Sequence, residues 1–248
     1  MSEKKVLLAG ESWETLSIHI KGFDMFTTSK YEEGGKWLIE ALEQAGYEVD
    51  FIPNHHAPSR FPTTIEKLNQ YSVVILSDIG ANTLLLNPET FEKSIPTNNR
   101  LKLIKEYVKK GGGFLMVGGY MSFQGIDGKG NYKNTPIEEI LPVNMVGFDD
   151  RVEVPEGLNP KVIKEHSITN NIDKKLPMLL GYNQFRAKEE AEILVDYNND
   201  PILVVGEYEQ GKAAAFASDC APHWGSPKFV DWEQYNNFWG QLIDWLAK

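Results

Sequence analysis

Gly112-Gly113-Phe114-Leu115-Met116-Val117-Gly118-Gly119-Tyr120 is the stretch that decides the fold of this chain. An apolar run of strand length lies between two glycine pairs, so it predicts a buried strand whose end meets a sharp turn. In an open α/β sheet such a turn stands at the mouth where ligands bind and where a nucleophile can be mounted. No Ser, Cys or Thr occupies the turn here. The scaffold of a site is legible, but not its reactive atom.

Three similar runs precede it. Residues 5–9 (KVLLA) close at Gly10, residues 48–52 (EVDFI) end at Pro53, and residues 72–77 (SVVILS) run into Asp78-Ile79-Gly80. Trp37, Leu38, Ala41, Leu42 and Ala45 recur at helical spacing and stop at Gly46. Residues 64–69 predict a short helix. Residues 98–110 predict a longer one through Leu101, Ile104, Tyr107 and Val108, ending in lysines that suit the helix dipole. Residues 11–28 read as a polar and aromatic loop. Short apolar strands alternating with helices predict a parallel sheet covered on both faces.

From Asn144 onward the rhythm changes. Residues 151–154, 182–188, 192–197, 201–208 and 212–218 are strand-like, with hairpin signals at Asn198-Asn199-Asp200 and Glu209-Gln210-Gly211. A final helix over 232–246 carries Tyr235, Phe238, Trp239, Leu242, Ile243 and Leu246 as a core stripe. No Pro/Ser/Gly-rich linker divides the chain, so residues 1–248 read as one domain.

The length suffices for a core without staples. A net charge of −10 argues against a nucleic-acid partner, which would need clustered Lys and Arg. Cys220 is the only cysteine, so an intrachain disulfide and multi-thiolate zinc sites are excluded. The start of the chain passes from charges straight into a strand, and no run of about 18 apolar residues occurs. A cytoplasmic protein without a membrane partner is the expectation.

Ligands of a parallel sheet bind beyond the strands' carboxyl ends. The candidates there are Glu11, Ser12 and Trp13; Asn54, His55 and His56; Asp78 and Asn82; Gly119, Tyr120 and Gln124; Asp219, Cys220, His223 and Trp224. Glu11 and Asp78 are candidate bases and His223 a candidate acid, with the 118–120 backbone as oxyanion donor. Asp78 suits a helix N-cap equally well. Ser12, Trp13, His55, Asn82, Gly119, Tyr120, Gln124, Cys220 and Trp224 are candidate ligand contacts, His223-Trp224 as a pocket wall. His55 and His56, adjacent on an extended segment, would point to opposite faces and so rarely share one ion. Cys220 reads as a small buried hydrophobe rather than a nucleophile. Neither a dinucleotide fingerprint nor a P-loop is present, and no cofactor or metal is assigned.

The segments LLAGESW (7–13), ILSDIGANTLLL (75–86), GGGFLMVGGYMSFQGI (111–126), DDRVEVPEG (149–157) and ASDCAPHWG (217–225) resemble the class I glutamine amidotransferase-like superfamily, in particular a subfamily of bacterial putative glutamine amidotransferases. The resemblance covers nearly the whole chain. It implies a flavodoxin-like three-layer sandwich with a central, mostly parallel sheet and an added antiparallel C-terminal portion. It also implies a thiol at the elbow and a late His followed two residues on by Glu. Here the elbow is Gly118-Gly119-Tyr120, and two residues beyond His223 stands Gly225. Related members include carbohydrate-associated domains, among them the trimerisation domain of some β-galactosidases. The expectation is a small polar, sugar-derived ligand at the strand ends without ordinary glutaminase chemistry. A non-catalytic binding or homo-oligomerisation module, and a hydrolase using Cys220/His223 or a His/carboxylate metal site, are the alternatives.

Overall fold

The apolar runs form the centre of the molecule. A computed structural model describes residues 4–248. Among these the strands are β1 (Lys5–Gly10), β2 (Ser12–Lys21), β3 (Asp24–Glu33), β4 (Glu48–Ile52), β5 (Val73–Ser77), β6 (Gly113–Val117) and β7 (Val143–Met145). The remainder are β8 (Arg151–Leu158), β9 (Lys161–Val162), β10 (Leu179–Asn183), β11 (Phe185–Ala187), β12 (Glu192–Tyr197), β13 (Asp200–Tyr208) and β14 (Gly211–Phe216). The helices are α1 (Lys36–Gln44), α2 (Ala57–Arg60), α3 (Ile65–Leu68), α4 (Ala81–Leu85), α5 (Pro88–Lys93), α6 (Arg100–Lys109), α7 (Pro136–Ile140), α8 (Pro227–Val230) and α9 (Tyr235–Leu246).

The main sheet has the order β4-β1-β5-β6-β14-β13-β12-β9. Pairing is parallel from β4 to β14 and antiparallel from β14 to β9. Every residue of β5 and β6 is buried, as a strand covered on both faces requires. From β1 the chain steps outward to β4, then returns past β1 to β5 and continues to β6. With right-handed crossovers, that reversal puts α1 on one face and α3 and α6 on the other. Accordingly α1 packs on α9, while α6 packs on α3, α4 and α7. The reversal also makes the gap between β1 and β5 a topological switch point, the place where open α/β sheets bind ligands.

Two expectations are corrected. Residues 11–28 are no loop: β2 and β3 pair along their whole length, from Ser12↔Glu33 to Lys21↔Asp24, as an arm outside the main sheet. Gly22 turns the arm at φ +65. The run 182–188 is two strands rather than one, because β10 pairs with β8 and β11 with β7. Between them the Gln184 amide donates to the Asp150 carbonyl at 2.6 Å.

Gly10 fixes the spacing at the switch point. Its φ is +110, and a Cβ there would run into the Ser77 carbonyl across the β1–β5 pair. Gly10→Ala should therefore lower the urea midpoint by the equivalent of several kcal/mol. Gly22→Ala, with nothing within 4 Å of its Cβ position, should cost only the left-handed backbone penalty of about 1–2 kcal/mol. Equal losses for the two variants would contradict the close approach.

Candidate functional site

Glu11 and Asp78 follow β1 and β5 directly, one on each side of the switch point. Both lie in the left-handed region, at φ +47 and +46, where a residue other than glycine costs about 1–3 kcal/mol unless its surroundings hold it. They do hold it. The Glu11 amide donates to the Ser77 carbonyl at 2.7 Å, and Ser77 Oγ donates to Glu11 Oε2. Asp78 Oδ1 accepts from the Met121 amide at 2.7 Å, while the Asp78 amide donates to Ser122 Oγ at 3.0 Å. Gly34 leaves room for the Glu11 carboxyl, since a Cβ there would lie 2.5 Å from Oε1.

A third acid arrives from farther off. β14 is separated from β5 by β6, yet the chain leaving it crosses the end of β6 to reach Glu11. Gly118 permits the crossing: its amide donates to the carbonyls of Phe216 (2.8 Å) and Ser218 (3.0 Å), and a Cβ would collide with the Ala217 carbonyl. Asp219 and Cys220 thereby join Glu11, with one ligand atom of each within 4.8 Å of the others. Cys220 Sγ also lies 3.8 Å from Ser77 Oγ.

The turn after β6 has no free amide to offer an oxyanion at Gly118 or Gly119. The Gly119 amide donates to Asn183 Oδ1 at 3.0 Å, and Asn183 Nδ2 donates to the Gly119 carbonyl and to Asp150 Oδ1. The amides of Tyr120 and Met121 turn toward Asp78. The role expected for the 118–120 backbone is thus corrected: it positions Asp78 and passes the β14 chain.

Electrostatics follow from the crowding. Burial pushes the Glu11 and Asp219 carboxyls well above the ordinary range; the Asp219 and Asp78 charges push Glu11 further, and the Asp78 charge does the same to Asp219. Asp78, half-buried, is raised by burial against the lowering effect of its amide donors and His223. Burial, then the Glu11 and Asp219 charges, drive the Cys220 thiol well above its usual value, opposing a thiolate. His223 Nδ1 stands 3.4 Å from Asp219 Oδ2, with its side chain 40% exposed against 5% for Asp219. The imidazole thus connects a buried acid to solvent. Glu11, Asp219 and Cys220 could hold a cation only after losing protons that burial retains.

An aromatic rim surrounds His223. Its ring meets Tyr120 edge-on at 4.4 Å and stacks on Trp224 at 5.3 Å. Tyr120 Oη and Trp224 Nε1 donate to the two oxygens of Glu153, each at 3.0 Å. Arg151, clasped by Asp149, lies over the Tyr120 ring at 4.8 Å. Trp224 is buried and backs the rim.

Of the sequence candidates, Glu11, Asp78, Tyr120, Cys220 and His223 share this region. Ser12 is buried beside it, bonded through Oγ and its carbonyl to Asn54. Trp13 stands at the foot of the β2–β3 arm, its indole donating to Glu32. His55 is exposed against Tyr31. Its ring lies 4.0 Å from that of His56, because residues 54–56 form a turn rather than the extended segment expected. Asn82 is exposed on α4, and Gln124 organises the following loop through Asp150 and Lys133. Asp219 stood among the strand-end residues without an assigned role. Ser77, Glu153 and Asn183 carried no sequence signal beyond lying in or beside strands.

Because raised carboxyls keep protons in the native state that the unfolded chain has released, stability should fall as pH rises above the ordinary carboxyl range. Glu11→Gln removes one such group. Its melting temperature relative to the parent should climb with pH, exceeding it at pH 8 by at least about 2–4 °C, the effect of about 1 kcal/mol in a chain of this size. A constant difference across pH, followed by calorimetry, would contradict the raised acid.

The family model described as "Putative glutamine amidotransferase" matches residues 5–248. A comparison with curated protein sequences finds no match. Among solved structures, Cytoplasmic Protein STM3548 from Salmonella typhimurium is 50% identical over 97% of this chain and 98% of its own, with a TM-score of 0.94. Cytoplasmic Protein STM1381 from Salmonella typhimurium LT2 is 49% identical over 98% of this chain and 100% of its own, with a TM-score of 0.95. A β-galactosidase from Rahnella sp. R3 shares the fold at 15% identity and a TM-score of 0.51, over 84% of this chain and 26% of its own. No helix of the described residues is long and apolar enough to cross a membrane. The chain belongs to the glutamine amidotransferase-like family.

Proposed function

We propose that this chain binds a small, hydroxyl-rich, carbohydrate-derived ligand at the switch point and performs proton transfer on it, rather than hydrolysing glutamine through a thiolate. The observation that supports this most is the gathering of Glu11, Asp78 and Asp219 with the half-exposed His223. Burial and like charge keep such carboxyls protonated as acids, beside an imidazole that can exchange a proton with solvent. A protonated buried carboxyl donates to a ligand oxygen, and His223 restores the proton from solvent through Asp219. Glu153, Arg151 and the Tyr120 ring offer what a sugar-like molecule needs: acceptors and donors for hydroxyls beside an aromatic face.

Glutaminase chemistry is disfavoured on two grounds. The Gly118-Gly119-Tyr120 turn carries no thiol, and the Cys220 thiol faces carboxyls that oppose its ionisation. A thioester intermediate then lacks its nucleophile.

Incubation with glutamine should release no ammonia above the blank. In a thermal-shift panel of monosaccharides, sugar acids and amino acids, a hydroxylated member should raise the melting temperature. His223→Gln should leave the fold intact but lower turnover of that ligand by about 100-fold or more, the usual contribution of a positioned acid–base group. Ammonia release abolished by Cys220→Ala would overturn this function, as would a panel in which only glutamine stabilises the protein.

A further inference from the structure

Residues 15–21 (TLSIHIK) alternate polar and apolar, as a half-buried strand does. Cross-strand partners share a face, so the register sorts the arm cleanly. One face carries Leu16/Ser29, Ile18/Thr27 and Ile20/Met25, with Glu14/Tyr31 at its foot. The other carries Thr15/Lys30, Ser17/Thr28, His19/Phe26 and Lys21/Asp24. The polar face is provided for within the arm: His19 stacks on Phe26 at 4.5 Å, and Lys21 lies over the same ring at 5.5 Å. The apolar face is open, with Leu16 68%, Ile18 60%, Ile20 73% and Met25 67% exposed, and Phe23 projects fully at the tip.

A two-stranded ribbon of this kind is marginal in water without something against its apolar face. We propose that the occupant is a second copy of this chain, the two arms packing apolar face to apolar face about a two-fold axis. Weighted by their exposures, Leu16, Ile18, Ile20, Met25, Tyr31 and Phe23 present roughly 800 Å², which is what each partner contributes to a standard-size interface. From Leu16 to Met25 that face holds no ionisable side chain, so pairing it with itself buries no unmatched charge. A two-fold contact satisfies both arms at once. Ten residues of strand extend about 33 Å, so overlapping arms also keep two bodies of charge −10 apart. The arm begins one residue after Glu11 and ends one before Gly34, so its foot is the carboxyl site, although the docking does not depend on what that site does.

Sedimentation velocity of the full chain across a micromolar dilution series tests this. The parent should sediment as a dimer, at twice the 28.1 kDa of one chain. Ile18→Lys, which changes a residue exposed in the single chain, should give a monomer with unchanged circular dichroism. Ser17→Lys, on the opposite face, should remain dimeric. A monomeric parent, a dimer that survives Ile18→Lys, equal loss in both variants, or a trimer or larger ring would each overturn the two-fold arm contact.

Discussion

Three carboxyl groups gathered at the strand ends, two of them buried, set the terms for the rest of this molecule. Glu11, Asp78 and Asp219 come from the ends of three parallel strands, and nothing basic beside them is buried to match; His223 stands at the edge. Like charges this close cannot all ionise in a low-dielectric setting. The set therefore keeps protons that ordinary carboxyls lose. The same condition makes it a place where the fold gives up stability.

Several costs are concentrated around that set. Glu11 and Asp78 both occupy left-handed backbone. Gly10, Gly34 and Gly118 stand where any side chain would collide with a neighbour that builds the cluster. Asn183, wholly buried, bonds both the amide and the carbonyl of Gly119 and reaches Asp150 as well. Strain of this kind persists when the surroundings over-determine it, and it gathers at functional sites. Family membership explains the frame on which this is built. The turn after β6 has been given over to chain crossing and to holding Asp78.

Much of the fold was legible because its strands are buried on both faces and read as unbroken apolar runs. The ends of those runs located Glu11, Asp78 and Cys220. Asp219 acquired its meaning only from the crossing over β6, which joins residues more than two hundred positions apart. Glu153 and Asn183 sit on short ribbons whose pairing depends on tertiary contacts, so no local period marked them. The β2–β3 arm escaped notice for the opposite reason. Its alternation is plain in Leu16, Ile18 and Ile20, but threonines, serines and charges fill the intervening positions, and no core within this chain covers it.

The protonation of the carboxyl set is the most direct test of the whole. Side-chain carboxyl carbons can be followed by NMR across pH, with Glu11, Asp78 and Asp219 assigned through Glu11→Gln, Asp78→Asn and Asp219→Asn. Glu11 and Asp219 should remain protonated well above the ordinary carboxyl range, and removing Asp78 should bring both titrations down. Three independent titrations at ordinary carboxylate values would contradict the account.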